Sequence, residues 1–219
     1  MSIERVRHQL LNATLPHVPF DGWTRASLMA GARNLGLSPA EVANAFPGGP
    51  VEMIELMSVE ADQRMLESLE REDLASMKVR ERVALAIRCR LELYAADREA
   101  VRRALGMLAL PQNSVLALRL LYRTVDAIWY AAGDTATDFN FYTKRALLAG
   151  VYAATVLAWL DDRSPGFEET WYFLDRRISD AMRLPQIAQR FASPLRWLPN
   201  PIYLFQQTRR DTGRRRVVR

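Results

Sequence analysis

Hydrophobic side chains recur every three or four residues along almost the whole chain, and they alternate with polar side chains nowhere for long. This period is that of an amphipathic α-helix, whereas a half-buried strand repeats every two residues. The spacing predicts helices at about 3–14, 24–36, 38–46, 50–69, 77–110, 113–132, 139–160 and 167–183. We therefore expect an all-α bundle.

Two of these helices carry recognisable start signals. Thr24 stands at the N-cap of the second helix, and Gly36 follows its end. Ser38 and Glu41 have the spacing of a capping box, with Pro39 in the first helical position. Together these signals predict a helix–turn–helix at 24–45.

The longest uncharged run, ALLAGVYAATVLAWL, covers the 15 residues 146–160. A helix that spans a membrane needs ~20 apolar residues, so the run predicts a buried core helix. Its alanines would leave room for an apolar ligand cavity.

The segment after Pro185 has a different character. Prolines at 194, 199 and 201 prevent one regular helix, yet apolar residues still recur every three or four positions and arginines follow them. This composition favours the surface of an anionic membrane; the alternative is a tail that folds its rings back onto the body. The predicted membrane-binding residues are Phe191, Leu195, Trp197, Leu198, Ile202, Tyr203, Phe205, Arg209 and Arg210.

The charge balance supports this division between body and tail. The chain has 219 residues, with 30 Lys and Arg against 25 Asp and Glu. The last eleven residues hold six arginines and one aspartate, so the rest of the chain carries 24 charges of each sign. The basic excess therefore belongs to the tail and does not describe a DNA-binding body.

Catalytic chemistry has little support in the sequence. One cysteine, Cys89, and two histidines, His8 and His17, exclude a disulfide framework and Cys-rich or His-rich metal sites within one chain. No Gly-rich phosphate loop or nucleophile elbow occurs. We expect no enzyme, no catalytic residue and no metal. Cys89 lies between two arginines, which leaves two alternatives: a thiol of depressed pKa, or the favoured small packed thiol.

The segment 24–45 resembles the DNA-binding module of the TetR family in the order and length of its helices. Its second helix, from Pro39 to Ala45, contains Glu41 and Asn44 but no Lys or Arg. A helix that reads the major groove needs cationic and base-contacting side chains. A TetR-type transcriptional regulator is therefore the alternative function, and we expect no nucleic-acid partner.

Four segments, HVPFDGWTRASL, LPQN, AGDTATDFNFYTKRALLAGVYAAT and SPGFEETWYFLDRRISDAM, together resemble the ninth coenzyme-Q biosynthesis protein family. The similarity covers about residues 15–185. It implies a TetR-like homodimer that holds an isoprenoid quinone precursor and presents it to the di-iron hydroxylase acting on demethoxyubiquinone. It also implies a peripheral position on a bacterial inner membrane, or on the matrix side of the mitochondrial inner membrane.

The same resemblance implies that the hydroxylase docks on the start of the 139–160 helix. The residues carried over are Asp138, Asn140, Phe141, Tyr142, Lys144 and Arg145, with Phe141 where the family more often has Trp. From the residues alone, Asp134 and Asp138 are alternatively caps of that helix. Three rings at 139, 141 and 142 cannot all face one core, so at least one is expected to face outward.

The ligand is expected to be an isoprenoid lipid or a phospholipid, with no other cofactor. The pocket residues suggested by the helices that line TetR-like cavities are Leu85, Leu93, Leu108, Leu116, Leu120, Trp129, Leu147 and Val151, each of which is alternatively plain core. The predicted organisation is a helix–turn–helix region at 1–46, a lipid-binding domain at 47–184 and a tail at 185–219.

Overall fold

The computed structural model describes residues 2–133 and 139–192, and side chains up to 133 and from 142 to 183. In these ranges the chain forms ten α-helices and no strand, which confirms the all-α prediction. The helices are α1 Ile3–Thr14, α2 Val18–Asp21, α3 Arg25–Asn34, α4 Pro39–Ala45, α5 Pro50–Leu69, α6 Val79–Glu92, α7 Arg98–Leu108, α8 Ser114–Ala131, α9 Phe139–Asp161 and α10 Glu168–Ala192.

The predicted caps of the helix–turn–helix are present. The Thr24 hydroxyl accepts a hydrogen bond from the Ser27 backbone N–H at 3.3 Å. Ser38 and Glu41 form a reciprocal capping box, in which each side chain accepts from the other residue's backbone N–H. Gly36 has a φ of +66°, the left-handed conformation that favours glycine after a helix.

Two helix boundaries differ from the prediction. The run predicted as continuous from 77 to 110 is two helices, α6 and α7, and α7 packs on α2 and α9. Trp23 fixes this arrangement by donating its indole N–H to the Ala100 carbonyl at 2.9 Å. The last helix was predicted to end at 183, but α10 continues through Pro185 to Ala192. A proline removes one backbone donor, and the helix-forming residues after it outweigh that loss.

Residues 1–178 form one compact unit, and a second unit begins at Ser179. In the first unit α1 packs against α3, while α5 packs against α6 and α8, and α8 against α9. The division of the chain at 46 and 184 stays a prediction.

The uncharged run 146–160 of α9 buries one face and exposes part of the other. Val156 and Trp159 lie in the core, whereas Leu157 is 63% exposed. The run was predicted to form a core helix, and its buried residues agree with that prediction, because α6, α7 and α8 all contact this helix. In the described part of the chain no single helix has the length and apolarity to cross a membrane; the bent pair Arg98–Leu108 and Pro111–Ala131 reaches that threshold only together.

Candidate functional site

Helices α5 to α9 surround an apolar cavity of about 430 Å³. Volumes of about 300–1,000 Å³ are typical of pockets that bind small molecules. The apolar lining residues are Ile54, Met57, Ala61, Leu91, Val101, Ala104, Leu105, Leu108, Ala109, Ala117, Leu120, Leu121, Ala153, Val156, Leu157 and Trp159. A cavity with such walls suits a hydrocarbon chain.

Small side chains open this cavity from several helices at once. Ala61, Ala104, Ala109, Ala117 and Ala153 all lie in its wall. Only Ala153 comes from the alanine-rich 146–158 segment that was expected to supply the room. The space therefore depends on how the helices meet, and no single segment of the sequence creates it.

One polar cluster interrupts the apolar wall, and Arg90 is its centre. The buried Arg90 guanidinium donates from Nε to Asp62 Oδ1 at 2.8 Å and from Nη1 to Tyr152 Oη at 2.6 Å. Its Nη2 donates to Ser58 Oγ at 3.0 Å and to Thr124 Oγ1 at 3.2 Å. Four of these five residues line the cavity, and Asp62 lies behind them.

Two tyrosines border this cluster, and both keep their protons at neutral pH. Burial raises the pKa of Tyr94 to about 12, and burial also raises the pKa of Tyr152. The Tyr94 hydroxyl donates to the Met57 carbonyl at 2.9 Å. The Tyr152 hydroxyl accepts from Arg90 instead, which leaves its own proton available to the cavity.

Two of the eight predicted pocket residues line the cavity, and six do not. Leu108 and Leu120 line the cavity; Leu85, Leu93, Leu116, Trp129, Leu147 and Val151 lie outside its wall. Sequence reasoning missed Arg90 and Tyr152. The available signal was that Arg90 falls on the same helix face as the buried Val83 and Ile87, where a charged residue is unexpected.

Three of the six residues predicted to dock the hydroxylase at the start of α9 have described side chains. Tyr142 is 69% exposed, which confirms that at least one ring faces outward. The Lys144 ammonium lies 5.7 Å from the centre of the Trp129 ring. Arg145 is buried and forms an ion pair with Asp126, with Nη2 at 2.7 Å from Oδ1. Asp134, Asp138 and the side chains of Asn140 and Phe141 lie outside the described residues.

The nine predicted membrane-binding residues also lie outside the described side chains. Phe191 belongs to the backbone of α10, and the segment from 193 onward is beyond the described range. Their role stays a prediction.

Cys89 is the thiol for which the sequence left two alternatives. Burial raises its pKa, and the nearby Glu92 and Glu72 raise it further, so the alternative of a depressed pKa is wrong. Among the described residues, no cluster of three His, Cys, Asp or Glu side chains has the geometry to hold a metal ion.

Comparison with known proteins identifies the family. The COQ9 family model matches residues 115–185. The mitochondrial ubiquinone biosynthesis protein COQ9 of Rattus norvegicus is 40% identical over 199 residues, which is 88% of this chain and 64% of the rat protein. Protein COQ9-B of Xenopus laevis is 36% identical over 88% of this chain and 68% of its own length.

A solved structure supports the fold independently. The TetR transcriptional regulator from Nitrosomonas europaea ATCC 19718 superposes with a TM-score of 0.69 and 22% identity, covering 81% of this chain and 98% of the regulator. At that identity the likeness concerns the fold alone, and it confirms the TetR-like architecture. The chain spans less than two thirds of the rat protein but more than two thirds of its Xenopus laevis relative. By its similarity to these relatives, the chain belongs to the COQ9 family of ubiquinone biosynthesis proteins.

Proposed function

We propose that this chain is an accessory protein of ubiquinone synthesis that binds an isoprenoid quinone precursor and presents it to the demethoxyubiquinone hydroxylase at a membrane. The observation that carries the proposal is the apolar cavity between α5 and α9 in a chain of the COQ9 family. The relatives are named as mitochondrial, which supports the mitochondrial option over the bacterial one.

The cavity has the chemistry of a lipid site. Its wall is built from aliphatic and aromatic side chains, with one hydrogen-bonding cluster at Arg90. Burying an isoprenoid chain against such a wall gains about 25 cal/mol per Å² of apolar surface removed from water. The protein then acts as a carrier: it shields the lipid from water, and the chemistry belongs to the hydroxylase.

Lipid extraction from the purified full chain tests this proposal. We expect mass spectrometry to find an isoprenoid or phospholipid ligand at close to one molecule per protein chain. Ala117→Phe places a ring in the cavity wall and should lower the lipid recovered. Ala26→Phe, an exposed position on α3, is the matched control and should leave recovery unchanged. Absence of lipid from the unmodified protein would contradict the proposal.

Docking of the hydroxylase is proposed at the start of α9. The exposed Tyr142 ring supports it, because exposed aromatic side chains are frequent anchors of protein interfaces. Arg145 has a different part, since the buried Arg145 side chain forms an ion pair with Asp126 that ties α9 to α8. Within the predicted docking surface, Tyr142 is therefore proposed as a contact residue and Arg145 as a supporting one.

Self-association into a homodimer belongs to the same proposal. Val115 and Leu118 on α8 are 78% and 68% exposed, and Tyr122 continues their stripe one turn further along. A large exposed apolar stripe is typical of a surface that another chain covers. Sedimentation equilibrium tests it: Leu118→Glu should shift the protein from dimer to monomer, and a wild-type monomer would contradict it.

A TetR-type regulator is the competing function, favoured by the fold alone. The exposed residues of α4 are Pro39, Ala40, Glu41, Ala43 and Asn44. Glu41 is already engaged in the capping box with Ser38. A helix without cationic side chains lacks the means to neutralise phosphates, so lipid carriage is the better supported function.

A further inference from the structure

The cavity opens to the surface of the protein between α7 and α9. Among the described residues that line the cavity, three are exposed: Ala109 of α7, and Ala153 and Leu157 of α9. The two helices lie side by side there, because the Arg102 guanidinium donates from Nη2 to the Leu160 carbonyl. The rim of this mouth is therefore built from aliphatic side chains.

The apolar surface continues across α7 to α2. Arg103 on α7 donates from Nη2 to the Pro19 carbonyl at 2.8 Å, which holds α2 against α7. Beside that contact the Phe20 ring is 83% exposed. Gly106 and Leu110 follow Arg103 by three and seven residues, so they lie on the same side of α7, and both are exposed. We call the whole surface the mouth face; it consists of Phe20, Gly106, Ala109, Leu110, Ala153 and Leu157.

The charges around the mouth face match the surface of a lipid bilayer. Residues 104–118 contain no charged side chain. At the border, Arg102 and Arg103 both pair with Glu99, with Nε to carboxylate distances of 3.3 Å and 3.1 Å, so one positive charge remains. An apolar centre with a cationic border suits hydrocarbon beneath anionic headgroups. A second copy of the chain on this face would instead bring two positive borders together.

From this arrangement we propose that the mouth face rests on a lipid bilayer and is the route by which an isoprenoid lipid moves between the membrane and the cavity. The inference rests on the proposed function and adds the place where the cavity meets the membrane. It concerns the body of the protein and is separate from the membrane contact proposed for the tail. Phe20 and Leu110 lie outside the cavity wall, so they contact the bilayer and not the bound lipid.

Uptake of a dansyl-labelled isoprenoid by the full chain tests the inference. The label is supplied either in vesicles of phosphatidylcholine and phosphatidylglycerol or as a soluble cyclodextrin complex. Energy transfer from tryptophan reports its arrival, because Trp159 lies in the cavity wall. Phe20→Glu together with Leu110→Glu should slow uptake from vesicles about tenfold, since a carboxylate enters an apolar layer at a high energetic cost. Uptake from cyclodextrin should not change, and each substitution alone should act in the same direction.

Ile3→Glu together with Val79→Glu is the matched control, because it replaces two exposed apolar residues away from the mouth face. Val79 begins α6, where Arg82 donates to the Ala132 carbonyl after the end of α8, whereas Leu110 precedes the start of α8. Uptake of the label from vesicles and from cyclodextrin should both match wild type in this control.

Three results would overturn the inference and leave lipid carriage intact. The first is equal uptake from vesicles by wild type and by the Phe20 and Leu110 variants. The second is the same loss in those variants from vesicles and from cyclodextrin. The third is an unmodified protein that takes up the label from cyclodextrin but not from vesicles. Uptake by the unmodified protein from neither source would overturn the proposed function and this inference together.

Discussion

Asp162 connects the end of α9 to the start of α10 through four hydrogen bonds. Its Oδ1 accepts from the backbone N–H and the hydroxyl of Ser164, both at 2.7 Å, and its Oδ2 accepts from the backbone N–H and hydroxyl of Thr170. Burial by itself would raise the pKa of this carboxyl, but the hydrogen bonds outweigh burial and lower the pKa to about 2. The ionised side chain therefore stabilises the fold.

Asp162→Asn tests that contribution through its pH dependence. A carboxyl whose pKa is lowered on folding stabilises the protein above its unfolded pKa, and this stability is lost as the pH falls through the folded pKa. We expect the variant to lose about 1–2 kcal/mol of unfolding free energy at pH 6. The gap to wild type should close between about pH 4 and pH 2. Urea denaturation across this range measures it, and a gap independent of pH would contradict the assignment.

Gly31 lies where α3 contacts α1, and the two helices are too close there for a larger side chain. A Cβ atom at this position would lie 2.5 Å from Thr14 Oγ1 and 2.9 Å from the Ala13 and Thr14 backbone. Gly31→Ala should therefore lower the unfolding free energy by about 1–3 kcal/mol. Gly106, in α7, has open space at its Cβ, so Gly106→Ala is the matched control and should stabilise by about 0.5–1 kcal/mol. Thermal melting of both variants measures these changes in stability. Equal shifts of the two melting temperatures would contradict the close approach of α1 and α3.

At the scale of single elements, local sequence signals explain where some helices begin, whereas tertiary contacts explain where one predicted helix breaks. The caps at Thr24 and Ser38 were readable from the sequence, because a cap depends on residues three positions apart. The break between α6 and α7 could not be read from the sequence, because it depends on α7 packing against α2 and α9. The four-residue helix α2 is too short to show a period.

The start of α9 supports a prediction about docking. Tyr142→Ala should weaken binding to the demethoxyubiquinone hydroxylase by about 2 kcal/mol, because exposed aromatic anchors commonly contribute that much, and the melting temperature should not change. Tyr172→Ala removes a similarly exposed ring from α10 and is the matched control. Surface plasmon resonance with immobilised hydroxylase compares them.

Arg145→Ala removes a supporting residue from the same helix and should behave differently from Tyr142→Ala. Because Arg145 is buried against Asp126, we expect this variant to lower the melting temperature as well as the affinity. Equal affinity of Tyr142→Ala and Tyr172→Ala for the hydroxylase would place the docking surface elsewhere.

At the scale of the whole molecule, the cavity was only partly predictable. The family resemblance implied a lipid pocket, but six of the eight suggested residues lie outside its wall. The partners of Arg90 are separated from it by 28 residues in the case of Asp62 and 62 in the case of Tyr152. No periodicity along the chain brings such residues together; only the packing of five helices does.

The tail is predicted to bind the surface of an anionic membrane. Its six terminal arginines come after a run of apolar and aromatic residues, and each cationic side chain near an anionic surface contributes about 1 kcal/mol. Removing residues 193–219 leaves the described end of α10 intact and deletes most of the proposed contacts. Sedimentation with vesicles containing phosphatidylglycerol should then fall sharply.

A second variant separates the two forces that hold the tail at the membrane. Replacing the six terminal arginines by Gln keeps the aromatic residues, so it should abolish the preference for anionic over neutral vesicles and leave weaker apolar binding. For the unmodified chain, raising the salt concentration should mimic that variant, because charges are screened beyond about 8 Å at physiological ionic strength. Equal sedimentation of the intact and truncated chains with anionic vesicles, at low and at high salt, would show that the membrane contact lies in the body of the protein.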